Sequence, residues 1–406
     1  VRPALPAALA SALLLCACAD GPRLPEARLS LEETLGGADT AGFARAVEPR
    51  DFVFPADHGP HPDYRNEWWY VTGNLEAQGG REVGFQLTIF RTSLAAPGDA
   101  AAAGEVPAPD TASAWSTDQA YMGHFAVTDA GGRRFQAFER FARGALGLAG
   151  ADAEALRVWI EGWSLEGKGE EPTGGDVPAS ADAAGVFPLR LRAADGDLAL
   201  DLMLEAGKPL VLQGERGLSR KGPEPGNASY YYSHTRMPTS GTVVLGADTL
   251  RTVGLSWLDR EWSTSALSEG MVGWDWFALQ LDDGWDLMVY ALRRADGTAH
   301  PLSEGVLVDP SGAKRVLSWG TDITVTPTGR WVSPVDGAVY PSGWRITVPG
   351  AGLELEVTPV LRDQELDLAF RYWEGAVRVS GTAPGRTLAG RGYVELTGYA
   401  GRTPGR

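Results

Sequence analysis

The 406-residue chain is 44% hydrophobic and 22% charged, with 52 glycines and 27 prolines. It is long enough for two hydrophobic cores and rich in turns, without the apolar runs of a polytopic membrane protein or the polarity of a disordered chain. Its net charge of −16 repels phosphate backbones, which argues against nucleic-acid binding as a main activity.

Both cysteines, Cys16 and Cys18, fall at the start of the chain, which leaves the body without a disulfide, a cysteine metal site or a thiol nucleophile. Arg2 followed by the short apolar stretch 4–17 suits a signal-peptide core better than a membrane span. Leu15-Cys16-Ala17-Cys18 resembles a bacterial lipobox. Residues 1–18 are therefore expected to be a lipoprotein signal ending in a lipidated Cys18. Acyl chains there would anchor the protein in the cell envelope, with Asp20 favouring the outer membrane, facing the periplasm. Residues 19–47 read as a tether.

Beyond Arg50 the texture changes to short alternating apolar and polar stretches, such as Leu198-Ala199-Leu200-Asp201-Leu202-Met203-Leu204, separated by turns like Ala194-Asp195-Gly196, Asp282-Asp283-Gly284 and Ala295-Asp296-Gly297. That pattern predicts antiparallel strands. Residues 95–113 and 167–185 read as surface excursions. An internal repeat organises the body. The Trp-led pair 67–75 and 83–91 has a counterpart in 274–281 and 286–294, and 187–212 corresponds more loosely to 343–370. The expected fold is all-β, with two antiparallel barrel or sandwich domains at 48–215 and 226–402, joined by the Gly-, Lys- and Pro-rich stretch 214–226.

Specific motifs sharpen this. The run from Phe54 through His58-Gly59-Pro60-His61 to Glu67-Trp68-Trp69-Tyr70 resembles the opening of the family that holds AttH and the carotenoid 1,2-hydratases, often labelled predicted secreted hydrolases. So do Tyr230-Tyr231-Tyr232-Ser233-His234, Trp257-Leu258-Asp259-Arg260-Glu261-Trp262, Trp274-Asp275-Trp276, and Tyr372-Trp373-Glu374. The resemblance covers nearly all of the chain after residue 50. It implies tandem lipocalin-like domains with the motifs gathered near their junction. For chemistry it implies either binding of an isoprenoid or other lipid, or addition of water to an isoprenoid double bond, and AttH itself suggests partnership with an envelope ABC-type exporter. The hydratase branch carries an aromatic-x-Asp pair, matched by Trp257-Leu258-Asp259, and a His and Trp near the tyrosine run, which this chain lacks.

Hydrating an alkene requires a carboxylic acid held protonated near neutral pH and aromatic faces around the resulting cation. Asp259, with Tyr232 and Glu261, is the expected catalytic set. His58, Glu67, Trp68, Trp69, Tyr230, His234, Trp257, Arg260, Trp262, Trp274 and Trp276 are the expected ligand contacts. The alternative is structural: Arg260 pairing both flanking carboxylates, and the tryptophans filling a core. His58 and His61, separated by Pro60, read as hydrogen-bonding members of a loop rather than metal ligands, and no cofactor is implied. There is no Gly-x-Ser-x-Gly elbow, phosphate loop or metalloprotease His-Glu pair to support hydrolysis.

Overall fold

The computed structural model describes residues 40–97, 113–152, 156–167, 186–264, 267–268 and 270–400. The lipobox, Cys18 and most of the tether lie outside them, as does most of each expected excursion. Among the described residues the only helical pieces are two 3-10 turns, Ala56–His58 and Pro349–Ala351, and no helix is long and apolar enough to cross a membrane.

Strand formation follows the alternation. Leu198, Leu200, Leu202 and Leu204 are buried while Asp201 between them is exposed, so one face of that strand enters a core. The tight turns sit where Asp-Gly pairs predict them. Gly196, Gly284 and Gly297 have φ of 53°, 87° and 84°, a region that glycine enters at little cost.

The first sheet holds β1 (Asn66–Ala77), β2 (Glu82–Ser93), β3 (Gln119–Asp129), β4 (Arg134–Arg143), β5 (Ala149–Asp152), β6 (Arg157–Ile160), β7 (Trp163–Gly167), β8 (Leu189–Asp195), β9 (Leu198–Leu204), the short β10 (Val211–Leu212) and β11 (Leu218–Arg220), β12 (Ala228–Leu245) and β13 (Asp248–Ser263). Its order is β4-β3-β2-β1-β13-β12-β9-β8-β7-β6-β5, with β10 and β11 also on β12. The second sheet holds β14 (Met271–Leu281), β15 (Asp286–Arg294), β16 (Glu304–Val308), β17 (Lys314–Ser318) and β18 (Thr324–Pro327). After the separate hairpin of β19 (Arg330–Val332) and β20 (Val339–Pro341), it continues with β21 (Trp344–Val348), β22 (Leu353–Pro359), β23 (Glu365–Leu366), β24 (Tyr372–Ala383) and β25 (Arg386–Leu396). Its order is β17-β16-β15-β14-β25-β24-β22-β21-β18, with β23 on β24.

The two orders superimpose. In each, a four-strand meander opens the sheet and a long closing hairpin, β12-β13 or β24-β25, returns to pair with the meander's first strand. The sequence repeat is therefore β1-β2 against β14-β15, and β8-β9-β10 against β21-β22-β23. One boundary differs from expectation. The stretch 214–226 contains β11 and lies inside the first sheet, and the chain changes sheet only between Ser263 and Met271. Gly and Pro content marked a turn there, but a closing hairpin lies beyond it, which local composition does not reveal.

Each sheet wraps its own apolar core, one including Phe85, Phe125 and Trp163, the other Phe277, Trp344 and Trp373. A third cluster, including Tyr70, Tyr231, Trp257, Trp276 and Tyr290, lies between the sheets. The central strands are thus buried on both faces. The side chains filling each core leave the cavity described next at the junction.

Candidate functional site between the sheets

The junction holds a cavity of about 120 Å³. Its walls are mostly aromatic, with Trp68, Phe90, Trp276 and Tyr290 among them, and Asp259, Glu261, Glu374 and Glu395 also reach it. Partly exposed Lys221, Leu267 and Trp274 form its outer side.

The register explains this convergence. Across the first sheet, His124 lies opposite Thr88, Thr88 opposite Tyr70, Tyr70 opposite Asp259, and Asp259 opposite Ser233. Directly opposed residues share a face, so the five form one transverse row. Across the second sheet the row is Glu374, Glu395, Trp276, Tyr290 and Glu304. The rows occupy equivalent strands of the repeat and face each other across the junction. Two links cross the junction: the Tyr70 hydroxyl donates to Glu374 Oε1 at 2.6 Å, and the Tyr372 hydroxyl lies 2.8 Å from His124 Nδ1.

Asp259 is buried among three donors. The Ser233 hydroxyl and the Trp257 indole N–H donate to Oδ1 at 2.5 and 2.7 Å, and the Tyr231 hydroxyl donates to Oδ2 at 2.6 Å. Burial penalises its charge more than these bonds relieve it, so its carboxyl is pushed up to about 7. Glu374 has less relief. Its Oε2 takes no hydrogen bond of normal geometry, with Tyr372 beside it, and burial pushes the carboxyl up to about 8. Burial drives His124 the other way, down to about 3, which keeps the imidazole neutral. Trp257 and Trp276 meet edge to face at 6.2 Å, and Trp276 meets Tyr70 in the same way at 5.1 Å, so the two acids share one aromatic enclosure.

The expected site residues divide between the two faces of the first sheet. Trp68, Trp257, Asp259, Glu261, Trp274 and Trp276 belong to the junction. Glu67, Trp69, Tyr230, Tyr232, His234, Arg260 and Trp262 do not: they sit on the opposite face, under the segment from Phe52 to Tyr64 that carries His58. Period-2 alternation is the cause, since residues one apart on a strand point apart. Tyr232 is therefore corrected as a member of the catalytic set. Its hydroxyl contacts His58 Nδ1 at 2.6 Å, and it is Tyr231 that binds Asp259.

Arg260 likewise pairs neither neighbouring carboxylate. It binds Glu67 and lies over the Trp69 ring at 3.9 Å. Glu67 also binds Arg91 and accepts the His61 backbone N–H at 3.0 Å. Burial alone would raise Glu67, but the Arg260 and Arg91 guanidiniums outweigh it and hold it well below the usual carboxylate range. His61 bridges Asp57 and Glu67, as a loop histidine would, and stacks on Trp262 at 3.8 Å.

Comparison with known proteins agrees with this architecture. The AttH-like family model matches residues 45–399. The chain belongs to the AttH-like family. The crystal structure of an AttH protein from Nitrosomonas europaea is 35% identical, with a TM-score of 0.71, and the match covers 88% of this chain and all of that one. The structure of kievitone hydratase from Nectria haematococca shares the fold, with a TM-score of 0.63 at 14% identity over 88% of this chain and 98% of that one. A kievitone hydratase from Fusarium solani subsp. phaseoli is 23% identical over 227 residues, 53% of this chain. That match spans only 62% of the hydratase's length.

Sequence reasoning missed Tyr70 and Tyr290, which line the cavity, and did not single out Glu374 from its motif. The repeat held the missing signal: strands equivalent to those carrying Asp259 must carry the facing wall. His124 ends the first row.

Proposed function

We propose that this AttH-like protein is a hydro-lyase that adds water to a carbon–carbon double bond of an apolar small molecule held in the junction cavity, with Asp259 as an acid–base group. The observation that carries this reading is a fully buried carboxyl, pushed up to about 7, enclosed by Trp257, Trp276 and Tyr231. A carboxyl near the working pH can both give and take a proton, which is the requirement for general acid–base catalysis. The ring faces supply stabilisation to a carbocation, about 0.5–2 kcal/mol each. The hydratase relative supports the reaction class, and the apolar walls support an isoprenoid or similar hydrocarbon as the part held.

The notional lipid anchor at Cys18 would set this cavity in the cell envelope, where such substrates partition, and where an ABC-type exporter could be a partner. Metabolic labelling with a fatty-acid analogue, lost in Cys18→Ser, tests the anchor.

The enzymatic reading is tested by incubating the purified protein with kievitone, and separately with geraniol, in water labelled with oxygen-18. The expected product carries one added labelled water, and Asp259→Asn abolishes it while leaving probe affinity within a few-fold. Binding of a probe with no product under any condition favours a carrier and ends the hydro-lyase reading.

A further inference from the structure

The first sheet supplies Asp259 and the Lys221-paired Glu261 to the cavity, and the second sheet places Glu374 opposite them. We infer that Glu374 is the proton donor of the reaction proposed above, and that Asp259 is the base that takes a proton from the attacking water. This rests on the hydro-lyase reading and changes the part expected of Asp259.

The hydrogen bonds distinguish the two acids. Three donors converge on Asp259, and one of them, the Trp257 indole N–H, can only donate. Such a cage favours the carboxylate. Glu374 receives the Tyr70 hydroxyl at Oε1. Its Oε2 is buried and without a hydrogen bond of normal geometry, while the Tyr372 hydroxyl that interacts with this carboxyl is also engaged with His124 Nδ1 at 2.8 Å. An anion at Oε2 would have only the Tyr372 hydroxyl, already engaged with His124, to stabilise it, whereas a protonated Oε2 carries a hydrogen it can present to the cavity it lines. The Tyr70 and Tyr372 hydroxyls relieve part of its charge, but no cation joins them and burial prevails. Tyr70, Tyr372 and Tyr393 are buried phenols held neutral by burial and then by the Glu374 charge, Glu395 is the carboxyl paired opposite it on β25, and no arginine or lysine is among the groups that shift it.

The step balances. Glu374 gives its proton to the less substituted alkene carbon, the π pair forms the new C–H bond, and the other carbon becomes cationic. A water oxygen bonds that carbon as Asp259 removes one of its protons. The products are the alcohol, a Glu374 carboxylate and a protonated Asp259, and exchange with water restores both acids.

Infrared difference spectroscopy on the full-length protein tests the assignment, together with turnover of geraniol. Glu374→Gln is expected to remove a protonated-acid carbonyl band at neutral pH and to lower the rate at least about 100-fold. Asp259→Asn is expected to remove carboxylate bands at pH 8 instead. Glu374→Asp, which keeps the acid, should recover part of the rate that Gln loses and guards against misfolding as the cause. If Glu374→Gln removes carboxylate bands, or turns over geraniol at the native rate, this inference falls while the hydro-lyase reading stands. If the native protein hydrates neither geraniol nor kievitone, both fall together.

Discussion

Asp259 and Arg260 are adjacent in sequence and on opposite faces of β13, and their charges have opposite consequences. Asp259 is buried without a cation, so folding costs it the charged state. The unfolded carboxyl ionises near 3.8 and the folded one near 7. Because the folded value is raised, the native state is favoured fully below 3.8 and loses stability as the pH rises through 7. Asp259→Asn removes that loss. Relative to the native protein it should be stabilised by roughly 4 kcal/mol at pH 8 and by little at pH 4, if the asparagine oxygen keeps the Ser233 and Trp257 donors and its NH2 donates to the Tyr231 hydroxyl. Urea unfolding at the two pH values measures this, and equal differences at both would show that folding does not raise the Asp259 carboxyl.

Glu67 follows the reverse rule. Its folded value is depressed, so its contribution is present above about 4.5 and is lost as the pH falls through the folded value. Replacing it with Gln leaves Arg91 and Arg260 buried without their carboxylate, at a cost of about 3–5 kcal/mol by the same measurement at pH 7. The sequence exposed the residue types of both clusters. It could not sort them, because face assignment needs a register and the Tyr230-Tyr231-Tyr232 run reads equally well in either phase.

At the level of strands and hairpins, the sequence was most informative where one face is wet. The alternating Leu198–Leu204 strand and the Asp-Gly turns were legible from the pattern alone. Strands buried on both faces, such as β1 and residues 256–263 of β13, carry aromatic and polar residues in near-continuous burial, so alternation fades where the site lies. Close contact between the sheets also depends on small residues that no pattern flags. A Cβ placed on Gly84 of β2 would stand 2.6 Å from the Ala376 Cβ on β24 and 3.0 Å from the Tyr393 hydroxyl. Gly84→Ala must therefore wedge the two sheets apart, with an expected loss of about 1–3 kcal/mol in urea unfolding. An unchanged midpoint would mean that the junction yields freely, and would remove the basis for a preorganised cavity.

For the whole molecule, the late return of β12 and β13 makes the first domain depend on residues beyond its apparent end. Those strands lie between β1 and β9, so a chain stopped at Gly226 leaves β1–β4 and β5–β9 as two unconnected fragments of sheet. Each fragment would expose a fresh hydrogen-bonding edge beside Trp69, Val71, Leu200 and Leu202, all buried in the intact core. Extension to Thr264 restores the pairing and the core but still leaves Tyr70, Tyr231 and Trp257 uncovered by the second sheet. The shorter fragment should show no cooperative thermal transition. The longer one should melt cooperatively while binding an apolar dye that the intact protein excludes. Circular dichroism with dye fluorescence decides the matter: a cooperative melt from the fragment ending at Gly226 would mean that the closing hairpin is an accessory to the first core rather than its centre.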